Sequence, residues 1–218
     1  MRTQVSVRRH SAKSAKLGDL VAQGRITGAA AEGLRGVLDR RESFLIAGAT
    51  GAGKTTMLAA ALNELRGERV IVIEDTPELS VSLPWVIGLT TREPNLEGVG
   101  RITASDLVKQ TLRMRPDRVT LGEVRGVEIA ALVEALASGH PGGGSTIHAG
   151  SLEAVGSRVE GLLRQAELES DLRQSLPELL PWVFHVSRVG NLWSFDVGRL
   201  ILGSGGRLAV ERLRGAHA

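Results

Sequence analysis

Cysteine is absent from this chain of 218 residues, which excludes disulfide bonds and thiolate metal sites and is typical of a cytoplasmic protein. Aromatic side chains are nearly as rare, since there are three Phe, three Trp and no Tyr. So few rings leave no obvious stacking platform for single-stranded nucleic acid. No run of about 18 apolar residues occurs, so we predict no transmembrane helix, and the first thirty residues lack the apolar segment of a secretory signal.

An excess of charge of one sign is also lacking, because the formal net charge is only +3. The charge is unevenly distributed: residues 1–40 carry eight basic and three acidic side chains, whereas the remaining residues carry 19 and 21. We therefore predict a basic linker with N-terminal helices over 1–40 and the main domain over 41–218, and we expect no nucleic-acid partner. Residues 1–16 could make a peripheral contact with anionic lipid, although an unstructured linker is favoured.

The most informative stretch is GATGAGKTT, which fits the phosphate-loop pattern Gly-x4-Gly-Lys-Ser/Thr. Glycines allow the backbone to fold closely around an anion, so that consecutive N–H groups point at phosphate oxygens. We expect Lys54 to reach the β- and γ-phosphates of ATP and the Thr55 hydroxyl to complete the shell of a bound Mg²⁺. The candidate nucleotide-binding residues are Gly48, Ala49, Thr50, Gly51, Ala52, Gly53, Lys54, Thr55 and Thr56.

The sequence on both sides of this loop supports the match. An apolar run over 43–47 precedes the loop as a buried strand should, and a helical pattern with Leu58, Leu62 and Leu65 on one face follows it. This order places the phosphates at a helix N-terminus, where free N–H groups and the helix dipole favour negative charge. The alternative is a chance match in a chain with 27 glycines, which the order of strand, loop, lysine and helix disfavours.

Apolar strands alternate with helical patterns through most of the chain, which predicts an α/β fold with a mostly parallel central sheet flanked by helices. Further strands are predicted at 69–74, 86–91, 118–122 and 145–148. Near the C-terminus the pattern predicts a small antiparallel hairpin, formed by 182–189 and 192–197, and a short strand at 200–202.

Charged or polar side chains stand at the carboxyl ends of several of these strands, which is where parallel sheets bind their ligands. Glu74 and Asp75 stand at the end of the strand at 69–74, Glu123 follows the strand at 118–122, and His148 ends the strand at 145–148. We therefore expect these side chains to converge with the glycine-rich loop on one site.

Glu123 stands where a nucleotide hydrolase keeps the carboxylate that orients or deprotonates the attacking water. The preceding residue is Gly122 instead of the usual acidic partner, so Mg²⁺ is expected to rest on Thr55, phosphate oxygens and water. Glu74 and Asp75 point to opposite sides of an extended strand, so one can face the water or metal while the other holds a neighbouring loop. Purely structural roles for these carboxylates are the alternative.

His148 offers a neutral donor that could sense the γ-phosphate or connect the site to the next subunit, and a buried core histidine is the competing interpretation. Arginines are further candidates, because a guanidinium group stabilises the charge of a phosphoryl transition state, often across a subunit boundary. An ordinary ion pair explains any single one of them equally well. The arginines near the predicted site are Arg92, Arg101, Arg113, Arg115, Arg118 and Arg125.

Four runs in this order, GATGAGKTT, VIVIEDTPEL, LRMRPDRVTLGEVRG and GHPGGGSTIHAGS, resemble the secretion ATPases of the type II and type IV superfamily. The similarity covers about residues 15–200 and is strongest to the CpaF/TadA branch, which powers assembly of tight-adherence (Flp) pili. By position, the phosphate loop corresponds to the family's Walker A motif, and Glu123 to its Walker B glutamate. Full-length members also carry an N-terminal domain that covers the nucleotide, and we expect this chain to begin near the linker to it.

The resemblance implies a RecA-like domain that forms a hexameric ring at the cytoplasmic face of the inner membrane. There it would work with a membrane platform protein and couple ATP hydrolysis to movement of pilin or a secreted substrate. One departure from the family is Gly150, which replaces the Asn of the His box, and Gly143 and Gly144 replace bulkier residues. The catalytic residues implied by the resemblance are Glu74 and Asp75 of the Asp box, Glu123, His148 of the His box, Arg113 and Arg115.

Two other functions stay open from the sequence. An ATP-driven nucleic-acid translocase on the same core fold needs a basic channel, which the charge balance of residues 41–218 does not favour. A nucleotide-binding regulatory subunit without the N-terminal domain would bind ATP and leave hydrolysis to a full-length partner.

Overall fold

The computed structural model describes residues 14–168, 170–189 and 192–213, and within them eight strands and eight α-helices alternate along most of the chain. The strands are β1 (Phe44–Gly48), β2 (Val70–Glu74), β3 (Val86–Thr90), β4 (Arg118–Val124), β5 (Gly144–His148), β6 (Trp182–Val189), β7 (Leu192–Leu202) and β8 (Leu208–Arg212). The helices are α1 (Leu17–Ala22), α2 (Gly28–Asp39), α3 (Lys54–Leu62), α4 (Ala104–Thr111), α5 (Glu128–Ala137), α6 (Ala154–Gln165), α7 (Ser170–Gln174) and α8 (Leu176–Leu179).

The eight strands form one sheet in the order β3-β2-β4-β5-β1-β6-β7-β8. The pairings from β3 across to β6 are parallel, whereas β7 and β8 are added antiparallel at one edge. The predicted α/β fold with a mostly parallel sheet and an antiparallel C-terminal part is therefore confirmed. Because β1 lies between β5 and β6, the loop that follows it leaves the middle of the sheet.

The sheet is buried on both faces, which explains why its parallel strands are almost continuously apolar. Alternate residues of β1 point to opposite faces: Leu45 belongs to the core under α4, α5 and α6, whereas Phe44 and Ile46 belong to the core under α1, α2 and α3. Leu17 and Leu34 from the first two helices are fully buried in this second core. The two N-terminal helices thus pack directly on the sheet.

Local capping signals in the sequence have the expected structural effect. Thr27 accepts a hydrogen bond from the Ala30 amide at the start of α2. Thr103 and Asp106 form a reciprocal capping box at the start of α4, as their spacing predicts. None of the helices in the described ranges combines the length and apolarity needed to cross a bilayer.

The C-terminal part differs from the prediction. The hairpin of β6 and β7 is present, but β7 continues without interruption to Leu202, so the prediction of a separate short strand at 200–202 is wrong. The strand β8 was not predicted, because its five residues include Glu211 and Arg212 and lie half-exposed at the sheet edge. Most of the basic segment 1–16 and the turn at 190–191 lie outside the described residues.

Candidate functional site

The glycine-rich loop connects β1 directly to α3. Gly51 and Gly53 have φ values of 76° and 98°, a left-handed conformation that residues with a Cβ seldom adopt. The helix begins at Lys54 immediately after Gly53, so its free amides face the concave side of the loop. The structure therefore has the predicted glycine-rich loop at a helix N-terminus, a geometry suited to an anion.

Lys54 folds back over this loop. Its Nζ donates a hydrogen bond to the Ala49 carbonyl at 3.1 Å and lies 3.3 Å from Nδ1 of His148. Only 7% of the residue is exposed, and this burial lowers the pKa of its ammonium group, against the opposing effect of the Glu123 carboxylate. A buried ammonium with one carbonyl and one imidazole partner is well suited to bind a phosphate oxygen.

His148 links Lys54 to Glu123. Its Nε2 lies 2.7 Å from Oε1 of Glu123, although the angles of this contact fall outside hydrogen-bond geometry. Burial and the charge of Lys54 lower the pKa of His148, which keeps the imidazole neutral near pH 7. Because Lys54 donates to Nδ1, we assign the ring proton to Nε2, where it faces the carboxylate.

Arg125 holds the other oxygen of Glu123. Its Nε and Nη2 donate to Oε2 at 2.8 and 2.6 Å, and Nη1 lies 3.5 Å from Oδ2 of Asp75. The hydrogen bonds to Glu123 raise the pKa of the Arg125 guanidinium. Asp75 in turn accepts a hydrogen bond from the Thr91 hydroxyl. One charged network thus joins the ends of β2, β3, β4 and β5. The roles of Arg125 and Thr91 in this network depend on the order of the strands in the sheet, so the local sequence could not predict them.

Glu74 makes different contacts from its neighbour Asp75. Its Oε1 accepts hydrogen bonds from the amides of Glu78 and Leu79, so it holds the loop that follows β2. Its side chain crosses Gly122, where a Cβ would lie 2.8 Å from Cγ of Glu74. This contact explains why the residue before Glu123 is a glycine, since any larger side chain there would displace Glu74.

The end of β4 departs from a regular strand next to Glu123. The register between β4 and β5 shifts between Leu121 and Val124, and the Thr146 hydroxyl donates to the Gly122 carbonyl at 2.8 Å. Such irregularities re-aim side chains at the edges of active sites. Glu123 lies within β4, which extends two residues beyond the predicted end at 122.

A cleft of about 390 Å³ opens beside this network, and its lining includes Thr55, Glu74, Asp75, Glu123 and Arg125. No group of three or more His, Asp or Glu side chains suited to a metal ion occurs in the described part of the chain. The Thr55 hydroxyl in the lining of this cleft fits the expectation for Mg²⁺, because an ion held mainly by phosphate oxygens and water needs only this one ligand from the protein.

The glycines before the His box position β5 closely against its neighbours. Neither Gly143, which faces the Val119 carbonyl, nor Gly144, which faces the ring of Phe44, has space for a Cβ. The departure from the family pattern at these residues therefore accompanies tight packing of β5, and His148 at its end still reaches Lys54 and Glu123.

The candidate arginines separate into different groups. Arg92, Arg101 and Arg125 line the cleft. Arg113 and Arg115 are exposed and precede the amino end of β4, whereas Glu123 lies near its carboxyl end. The length of the strand between them is about 20 Å, so the structure does not bring these arginines to this chain's own site. Their role in another subunit's site stays a prediction.

Arg118 has no place in the site, and its candidacy as a transition-state arginine is wrong. Its side chain is 1% exposed and bonds Glu68 through Nε at 2.6 Å and Nη2 at 3.0 Å. It also donates to the carbonyls of Leu38 and Gly142. Arg118 is therefore a buried structural residue that joins α2, β4 and the loop before β5.

Comparisons with known proteins agree with this geometry. The model of the family described as Type II/IV secretion system protein matches residues 1–180. A putative conjugal transfer protein of Mycobacterium tuberculosis (strain CDC 1551 / Oshkosh) is 43% identical over 178 residues, which cover 79% of this chain and 49% of the relative. Protein VirB11 of Agrobacterium fabrum is 36% identical over 165 residues, which cover 70% and 48% of the two chains.

A solved structure shows the same relationship. The VirB11 ATPase from the Brucella suis type IV secretion system, in complex with sulphate, is 27% identical with a TM-score of 0.64, and the match covers 92% of this chain and 56% of that one. The chain thus spans about half the length of the relatives it matches. The family model and the conjugal transfer relative together show that this chain belongs to the type II/IV secretion system protein family.

Proposed function

We propose that this chain binds ATP with Mg²⁺ on the Gly48–Thr56 loop and hydrolyses it as the motor domain of a pilus or secretion machine. The observation that carries the proposal is the series of contacts from Lys54 through His148 to Glu123, which places a carboxylate next to the phosphate-binding lysine. Glu123 lines the cleft beside the loop, where its carboxylate is suited to orient the attacking water. The names of the relatives, which are secretion and conjugal transfer proteins, support the motor role.

Each residue of the network has a part in the proposed reaction. Lys54 and the loop amides bind phosphate, and Thr55 contributes its hydroxyl to Mg²⁺, which when bound offsets the charge of the phosphates. Glu123 orients the water, and His148, which lies between Lys54 and Glu123, senses the γ-phosphate through these two neighbours. Arg125 and Asp75 hold the orientation of Glu123.

Replacing Lys54 by Ala tests the phosphate site. Lys54→Ala is expected to raise the Kd for ADP by about 10- to 100-fold, since a charge-assisted hydrogen bond contributes about 1.5–3 kcal/mol. Isothermal titration calorimetry measures the change, with Lys109→Ala on α4 as a control for the loss of one lysine charge. Equal affinity of the Lys54 variant and the wild type would contradict the assignment of the loop.

We further propose that the chain works in a hexameric ring in which Arg113 or Arg115 reaches the site of a neighbouring subunit. Both side chains are exposed and too distant from their own Glu123, which suits a contact in trans. Adding a non-hydrolysable ATP analogue is expected to increase the mass of the assembly, measured by analytical ultracentrifugation. Lys54→Ala is the control, because its assembly should not respond; a wild type that keeps one mass throughout argues against the ring.

The finer assignment to the CpaF/TadA branch rests on the runs LRMRPDRVTLGEVRG and GHPGGGSTIHAGS. Under this proposal the motor works at the cytoplasmic face of the inner membrane with a membrane platform protein. The basic side chains of residues 1–16 suit a peripheral contact with anionic lipid there.

A further inference from the structure

The two flanks of the phosphate loop differ in chemistry. Strands β5 and β4 lie on one side of β1 and carry His148 and Glu123, whereas β6 and β7 lie on the other side. The γ-phosphate end of a bound nucleotide must face Glu123, because that carboxylate orients the water in the function proposed above. A phosphate chain is elongated, so its other end and the attached nucleoside extend toward β6 and β7.

Trp193 of β7 stands on that flank, in contact with the loop itself. A Cβ built on Gly53 would lie 2.5 Å from Cζ3 and 2.6 Å from Cη2 of the indole ring. Only a glycine can therefore occupy position 53, both for its left-handed φ of 98° and for the approach of this ring. An indole ring thus lies against the backbone from which α3 and its phosphate-binding amides begin.

Two arginines frame the ring. The guanidinium carbon of Arg25, in the turn between α1 and α2, lies 5.3 Å from the Trp193 ring centroid, and that of Arg188 on β6 lies 5.6 Å from it. Guanidinium planes stack on aromatic rings and also attract phosphate, and nucleic-acid bases stack on aromatic side chains. In a chain with only three tryptophans, this grouping beside the loop is distinctive.

A second cleft, of about 340 Å³, borders the loop on the same flank. Its lining includes Ala49, Thr50, Gly51, His185 and Arg188. His185 is 5% exposed, and its Nε2 has no hydrogen-bond partner among the described residues. Burial lowers the pKa of this histidine, so it offers a neutral polar atom. A buried polar atom without a partner at the edge of a cleft can complete its hydrogen bonding with a bound ligand or an ordered water.

From this arrangement we propose that the nucleoside of the bound nucleotide lies on the β6–β7 flank, against Trp193 and the guanidinium groups of Arg25 and Arg188. The inference rests on the proposed nucleotide binding by the Gly48–Thr56 loop and adds the residues that recognise the base. Trp193 contacts the nucleoside and takes no part in water activation, so it determines affinity for nucleotides over bare polyphosphate.

Two ligands separate contacts to the base from contacts to the phosphates. Calorimetry of the full chain with Mg²⁺ compares ADP with inorganic tripolyphosphate, which has phosphates and no nucleoside. Trp193→Ala is expected to raise the Kd for ADP roughly tenfold, as loss of one base–aromatic stack typically does, and to leave the Kd for tripolyphosphate unchanged. Trp85→Ala is the matched control, because Trp85 is 64% exposed just before β3, at the opposite edge of the sheet, and should change neither Kd.

Fluorescence gives a second measurement that does not require removal of the ring. In the Trp85→Phe, Trp182→Phe double variant, Trp193 is the sole indole, and ADP is expected to change its emission whereas tripolyphosphate is not. An unchanged ADP affinity in Trp193→Ala, or an equal loss for both ligands, would overturn the inference while nucleotide binding itself stands. A wild-type chain that binds neither ligand would instead overturn the proposed function, and the inference with it.

Discussion

Replacing Glu123 by Gln is expected to lower the rate of ATP hydrolysis by about two to four orders of magnitude, the usual contribution of a positioned general base. Gln keeps the shape of the side chain and removes the charge that orients and polarises the attacking water. The affinity for ADP should change far less than the rate, because the contacts of Glu123 are with Arg125 and His148, and Lys54 keeps its hydrogen bond to the Ala49 carbonyl. Steady-state phosphate release and ADP titration together measure the two effects.

A matched control removes one carboxylate from outside the site. Glu32 is exposed on α2, and Glu32→Gln changes the net charge by the same amount. Its turnover should equal that of the wild type. If Glu123→Gln hydrolyses ATP as fast as the Glu32 variant while binding ADP normally, Glu123 does not act on the water and another group must do so.

The parts of the site that could be predicted from the sequence are those set by local pattern. The loop around Lys54 follows from glycine spacing, and the positions of Glu123 and His148 follow from strands that end in polar residues. Because parallel strands bring their carboxyl ends to one edge, local assignments were enough to place these groups together. The contact between Lys54 and His148, which are 94 residues apart in sequence, bears this out.

Other features depend on distances between elements that no local pattern encodes. Gly122 lacks an acidic side chain because Glu74 from the neighbouring strand passes over it. Trp193 reaches Gly53 only because β7 pairs with β6 in one particular register. The sequence signal available for Trp193 was weak: a single tryptophan in a chain with few aromatic residues.

Arg118 shows the same limit for charged residues, because its burial depends on a partner 50 residues away in sequence. Arg118→Ala is expected to lower the free energy of unfolding by about 3–5 kcal/mol, since removal of one member of a buried ion pair leaves Glu68 with only the exposed Arg41, at 3.9 Å. The carbonyls of Leu38 and Gly142 lose their donor as well. Such a loss is a large fraction of the roughly 5–15 kcal/mol that stabilises a typical domain, and urea unfolding measures it.

Two comparisons separate the effect of leaving Glu68 without Arg118 from other consequences of the substitution. Arg113→Ala removes an exposed arginine from the same run and should change the free energy of unfolding by no more than about 0.5 kcal/mol. The double variant Arg118→Met, Glu68→Leu removes both charges and keeps most of the volume, so it should be more stable than Arg118→Ala. The free energy of unfolding of this double variant should stay below that of the wild type, because the carbonyls of Leu38 and Gly142 still lack a donor. If Arg118→Ala unfolds at the urea concentration of the Arg113 variant, the buried pair does not stabilise the junction of α2, β4 and the loop before β5.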